Sequence, residues 1–253
     1  MVFLGQFTGC NAILYYLSVL LNQIGFDKYE SNYMSLVGGG ALLFGTIPGV
    51  LFMERFGRRF WGITLLPGFF VGLVLIGLSY QMDLETNTMA AEGLYLTGLI
   101  LYYGFFGSYA CLTWVIPSEV YPTYLRSYGM TTSAATLWLS AFLMTYNFSA
   151  MSEAMTLTGL TLGFYGSIAV IGWFYQILFM PETKNKTLED IDFIFRKPTS
   201  QLVRENLSST MENVRWLFTG QWGKVFYMPP IARAQAYSEG RDEEKVVRES
   251  QEN

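Results

Sequence analysis

Trp114-Val-Ile-Pro-Ser-Glu-Val-Tyr-Pro-Thr-Tyr-Leu-Arg126 decides how this chain folds. Before it, Gly93 to Ser118 carries no ionisable charge; after it, Ser127 to Ser152 carries none either, and between them stand Glu119 and Arg126. An ionised side chain costs roughly 3 kcal/mol at the centre of a bilayer, so charges gather where an apolar helix leaves the hydrocarbon. The stretch therefore marks a membrane border.

Working outward from it, four further charge-free windows appear: Phe3 to Phe26, Tyr33 to Met53, Phe60 to Met82, and Ala154 to Pro181. With the two beside the border stretch they make six. Each reaches the roughly 20 residues a helix needs to cross about 30 Å of hydrocarbon. The composition agrees with a membrane protein: 51% hydrophobic residues, 14% charged, and a mean hydropathy of +0.28. An all-α membrane protein of six transmembrane helices is predicted, with residues 1–181 as the helical bundle. The first window resembles a signal peptide in length, but it lacks a basic start and a small-residue cleavage site and carries Gln6 and Asn11, so it reads as a span.

Loop charges orient the bundle. Glu54-Arg55-Phe56-Gly57-Arg58-Arg59 and the Glu119 to Arg126 connection hold four arginines. The opposite loops hold Asp27, Lys28, Glu30, Asp83, Glu85, Glu92 and Glu153. The positive-inside rule places the arginine loops and both termini in the cytoplasm. On that assignment the sequon at Asn147 lies outside, hard against the fifth span, while those at Asn185 and Asn206 face the cytosol and stay unmodified. After Pro181 come 11 basic and 12 acidic residues, the mark of a soluble tail. Residues 182–236 are expected to form a cytoplasmic tail with amphipathic helices at Thr187 to Phe195 and Val203 to Phe218, the second showing Leu207, Met211, Val214 and Leu217 on one face. Residues 237–253 mix both charges without an apolar period and are expected to be disordered.

The chain has no histidine, which removes imidazole from any catalytic, metal-binding or pH-switching role. Cys10 and Cys111 both sit in apolar runs, where packing is the default. Without clustered metal ligands or a nucleophile motif the chain reads as no enzyme, needing no cofactor and no nucleic acid. The informative residues are polar ones inside the spans. Gln6, Asn11 and Gln176 are unfavourable in hydrocarbon unless they face a partner helix or a watery cavity. Gln6 and Asn11 lie about 140° apart on a helix, so both can border one cavity; interhelical hydrogen bonding is the alternative. Glycines crowd the second and third spans, including Gly45, Gly49, Gly68 and Gly72, beside Pro48, and serve close packing or bending. Tyr15, Tyr16, Phe105, Trp114 and Trp138 place flat rings within spans, suited to stacking on a sugar ring or to plain packing.

Four motifs in order, Gln6-Phe-Thr-Gly-Cys-Asn-Ala-Ile-Leu-Tyr-Tyr16, Glu54-Arg-Phe-Gly-Arg-Arg59, Pro117-Ser-Glu-Val-Tyr-Pro122 with Arg126, and Pro181-Glu-Thr-Lys-Asn-Lys-Thr-Leu-Glu189, resemble the sugar porter branch of the major facilitator superfamily over about residues 1–195. Within that branch the chain looks most like fungal polyol, myo-inositol or hexose transporters. The resemblance implies a C-terminal six-span half, a 3+3 inverted repeat from a fold of about twelve spans, whose substrate sits at the midplane between two halves. The implied partners are the missing N-terminal half, membrane lipid, and a sugar or polyol. The implied location is the plasma membrane. The family pattern maps substrate contacts onto Gln6, Asn11, Tyr15, Tyr16, Phe105, Trp114 and Trp138, with the paired tyrosines as an outer gate. It maps a cytoplasmic gate onto Glu54, Arg58, Arg59, Glu119, Arg126 and Glu182. Departures are Gly5 for glutamine, Leu42 for asparagine, Ala110-Cys111 for Gly-Pro, and Leu137 for asparagine. Fewer polar ligands imply a less hydroxylated substrate or weak hexose binding, because each unpaired buried hydroxyl costs about 1 to 3 kcal/mol. Transport by alternating access is the implied function. A nutrient sensor derived from a transporter, or an inactive fragment, is the other reading.

Overall fold

The computed structural model describes residues 1–82, 84–184, 191, 194 and 198–218. The chain divides into two compact units, Met1–Ser208 and Ser209–Asn253. The first unit holds the bundle and runs past Pro181, because Glu182, Thr183 and Asn206 are all hydrogen-bonded to spans. The expected helix at Thr187 to Phe195 lies outside the described residues except for Ile191 and Ile194, which are helical and buried. The disorder expected at 237–253 also lies outside them.

Among the described residues the first apolar window is three short helices: α1 (Val2–Phe7), α2 (Cys10–Tyr15) and α3 (Leu17–Ile24). Gly9, at φ 85°, separates the first two; only a residue without a Cβ adopts that conformation freely. Tyr16 leaves helical geometry next, and α3 turns away from the preceding pair by 71°. One apolar window is thus one span, but a broken one.

Longer helices follow: α4 (Lys28–Phe56), α5 (Arg58–Ser79), α6 (Leu84–Val120), α7 (Arg126–Met155) and α8 (Gly166–Phe179), the last preceded by a π-helical segment, Gly159–Tyr165. The final described helix is α9 (Thr199–Phe218). Four of these are long and apolar enough to cross a membrane unaided, namely Lys28–Phe56, Arg58–Ser79, Asn87–Val120 and Gly159–Phe179, and the bent first pair makes a fifth. The remaining expected span, α7, has the length at 30 residues but is more polar. Its polar groups turn back onto their own helix: Thr131, Thr132 and Thr136 donate to the carbonyls of Ser127, Tyr128 and Thr132, and Asn147 to Leu143. Groups satisfied in this way need no partner from lipid. The turn from α7 into the last span falls at Thr156, whose φ is 64°.

Packing explains the glycines. Ser108 Oγ of α6 donates to the Gly45 carbonyl of α4, and a Cβ on Gly45 would collide with the Gly104 backbone. Small residues on both helices let these backbones touch, where in lipid van der Waals contact replaces the missing hydrophobic drive. On another face of α6, Tyr95, Tyr102, Tyr103 and Tyr109 are buried to within 1% exposure. Phe69 of α5 meets Tyr102, Phe106 and Tyr109 edge-on at ring centroids 6.0, 6.0 and 5.6 Å apart.

Candidate functional site

Breaking a span frees backbone groups that hydrocarbon cannot satisfy. Here they find partners from α6. Tyr102 donates its hydroxyl to the Thr8 carbonyl at 3.1 Å, and Tyr103 to the Cys10 carbonyl at 2.8 Å. Thr8 Oγ1 donates to the Gly5 carbonyl at 2.6 Å. On either side of the break, Gln6 and Asn11 come together: Asn11 Nδ2 donates to Gln6 Oε1 at 2.6 Å, with Cys10 Sγ 3.5 Å from the same oxygen. Gln6 is buried and Asn11 half-buried. One amide end of each is consumed by this bond, which leaves the Gln6 NH2 as a donor and the Asn11 carbonyl oxygen as an acceptor at the break.

The aromatic residues fall into two groups. Tyr16 stacks on Phe148 of α7 with centroids 4.7 Å apart, while Tyr15 is exposed. Trp114 on α6 and Trp138 on α7 are exposed at 44% and 65%, on helices that flank α1. Phe105 is placed elsewhere. Its ring lies against Gly68 of α5, in an apolar groove of about 760 Å³ formed by α4, α5 and α6 with Phe44, Pro48, Trp61 and Leu65. The expected asparagine site Leu42 supplies no polar group. Ala110 and Cys111 leave α6 helical through to Val120, with non-helical angles only at Asn87 among its described residues.

Gly5 shows what took the place of a glutamine. A side chain at this position would run into the Tyr109 ring, at 2.9 Å from a Cβ. Tyr109 in turn receives a hydrogen bond from Gln176 Nε2 of α8 at 2.8 Å. Gln176, 1% exposed, thus spends its donor inside the bundle, as the interhelical alternative anticipated for such residues.

The charged cluster is built at the start of α5. Arg58 grips Glu119, with Nη2 2.6 Å from Oε1 and Nε 3.0 and 3.2 Å from the two carboxylate oxygens. Thr183 Oγ1 donates to Glu119 Oε2 at 2.7 Å. Glu182 plays another part. Its Oε1 accepts the Arg58 and Lys184 amides at 3.0 and 3.1 Å, and its Oε2 the Arg59 amide at 3.2 Å, so the carboxylate caps the N-terminus of α5 and opposes its dipole. Gly57, at φ 93°, admits this: a Cβ there would lie 2.6 Å from Glu182 Oε2. Arg59 is buried and donates through Nη2 to the carbonyls of Ile177 and Asn206 at 3.0 and 2.7 Å, while Asn206 Nδ2 donates to Leu178 at 2.8 Å. Among the described residues the ion pair is Arg58 with Glu119. Glu54 is exposed, and Arg126 is half-buried with a buried Nε that has no described partner.

Tyr102, Tyr103 and Tyr109 are the residues that the sequence reading missed. Their signal was present, as aromatic residues recurring at 102, 103, 106 and 109 along one side of a helix, but that pattern reads equally as packing.

The profile of the sugar (and other) transporter family matches residues 1–195. The myo-inositol transporter FST1 of Gibberella moniliformis is 70% identical over 226 residues, covering 89% of this chain and 39% of that protein. Sugar transport protein 8 of Arabidopsis thaliana is 31% identical over 193 residues, covering 75% and 38%. Among solved structures, the proton:xylose symporter XylE bound to 6-bromo-6-deoxy-D-glucose superposes with a TM-score of 0.66 at 24% identity, over 77% of this chain and 41% of the other. The chain spans about two fifths of the length of these proteins.

Proposed function

The chain belongs to the sugar (and other) transporter family, and we propose that it forms the C-terminal six-span half of a transporter that carries a polyol or sugar of myo-inositol type by alternating access. The observation that carries this reading is the broken first span, where Gln6 and Asn11 are joined by one hydrogen bond and each keeps one amide function for a ligand. Discontinuous helices near the midplane are how transporters of this kind expose polar groups inside a membrane. The 70% identity to a protein named as a myo-inositol transporter supports the polyol class. Myo-inositol is densely hydroxylated, and Gly5, Leu42 and Leu137 offer it no side-chain hydrogen bond. The second half of the site then supplies the remaining polar contacts.

Trp114 and Trp138 act as the walls and Tyr15 and Tyr16 as the outer gate, with Tyr16 held back by its stack on Phe148. Phe105 serves the bundle from its groove. On the inner side Arg58 and Glu119 hold α5 to the end of α6, while Glu54 and Arg126 are left to pair with the other half when the inner side closes. The arginine loops lie in the cytoplasm and the protein resides in the plasma membrane. The reading is tested by uptake of labelled myo-inositol, glucose and xylitol by the complete transporter in cells lacking their own carriers. Saturable myo-inositol uptake is expected; no uptake of any of the three, with a transcriptional response to sugar, would replace transport by sensing.

A further inference from the structure

Three buried phenols converge on the break in the first span, and two of them are already bonded. Tyr102 and Tyr103 hold the Thr8 and Cys10 carbonyls. The third, Tyr165, ends the π-helical segment Gly159–Tyr165 and is 0% exposed. Its ring packs on Gly9, with the hydroxyl-bearing carbon 2.6 Å from where a Cβ on that glycine would stand. Its hydroxyl is buried and has no hydrogen-bond partner among the described residues. An unsatisfied buried hydroxyl is destabilising, and π-helical turns cluster at functional places.

We propose that Tyr165 is a positioning residue for the broken span: its hydroxyl is the reserve donor for the backbone carbonyls around Gly9 in the conformation that this structure does not show. This rests on the transport reading. In a state of the transport cycle where α1 and α2 have shifted against α6, stretched Tyr102 and Tyr103 bonds leave the Thr8 and Cys10 carbonyls short of these donors inside the bundle. A third phenol at the same break takes over one of them. The unpaired hydroxyl of one state is then the paired hydroxyl of the other, and the cost of the break is shared between the two.

Tyr165→Phe isolates the hydroxyl, because the ring and its contact with Gly9 remain. In the complete transporter, maximal myo-inositol uptake is expected to fall by about tenfold, the worth of one buried hydrogen bond, with the half-saturating concentration changed less than about twofold. The thermal midpoint of the purified protein is expected to be unchanged or raised, since the hydroxyl removed has no partner in this state. Tyr102→Phe with Tyr165→Phe is expected to lose more than the product of the single losses, because each phenol covers for the other. Unchanged maximal uptake overturns the proposal. So does a lowered midpoint or failure to fold, because the hydroxyl would then be bonded in this state. If the unmodified transporter takes up no polyol or sugar, the transport reading itself has failed.

Discussion

Trp114 and Glu119 sit five residues apart on α6 and have different work. The indole is 44% exposed, and on the proposed reading it covers the apolar face of a polyol. Trp114→Ala is expected to raise the half-saturating concentration by about tenfold with little effect on protein abundance, measured by concentration-dependent uptake. An unchanged value would remove the ring from the site. Glu119 is held by a forked contact from Arg58 and by Thr183. The pair is part-exposed, and such pairs contribute roughly 1 kcal/mol, too little to hold a fold but enough to bias two conformations of similar energy. Glu119→Arg is expected to abolish most uptake and Arg58→Glu in the same chain to restore part of it. No rescue would mean that Glu119 acts through Thr183 or the other half.

At the scale of elements, the start of α5 and the break in the first span each depend on a positive-φ glycine. Glu182 caps α5 from a segment more than a hundred residues further along the chain, and it reaches the amides of Arg58 and Arg59 across Gly57. Gly57→Ala is therefore expected to lower the thermal midpoint in detergent, because the methyl group meets both backbone strain and the capping carboxylate. Glu182→Gln, which keeps the shape but loses the charge, is expected to cost about 1 kcal/mol. Equal stability of both variants with the parent would show that the cap does not hold the helix start. The four-motif pattern grouped Glu182 with the gate charges, but its distribution of bonds was not legible there. A glutamate beside arginines reads as an ion pair, and only the folded chain shows backbone amides closer at hand.

Among the described residues, two helices expose rows of large apolar side chains. Helix α7 exposes Trp138, Leu139, Phe142 and Tyr146, with Phe142 and Tyr146 stacked at 5.6 Å, on a helix more polar than the other spans. Helix α4 exposes Tyr33, Leu36, Phe44 and Leu51. Because the hydroxyls and the Asn147 amide of α7 are satisfied within their own helix, its exposed aromatic row can pack on the proposed second half without stranding them. Expressed alone, residues 1–253 are expected to insert but to show no saturable uptake, and co-expression with the complementary six-span half is expected to restore it. Uptake by the chain alone would show that it builds a complete pathway by itself.

Residue order alone determined that this is a helical membrane protein and which family it belongs to, while the helices depart from the charge-free windows by up to nine residues, as at the start of α6. Those properties follow from charge exclusion by hydrocarbon, a local cost paid residue by residue, and from motifs contiguous in the chain. Only the tertiary structure decided that the first apolar window is broken at Gly9, that Tyr102 and Tyr103 hold the break, that Phe105 turns to the α5 groove, and that Glu182 caps a helix. A freed carbonyl or amide has no signature of its own in sequence, since every residue carries both; which side chain satisfies it depends on what the fold brings within 3 Å.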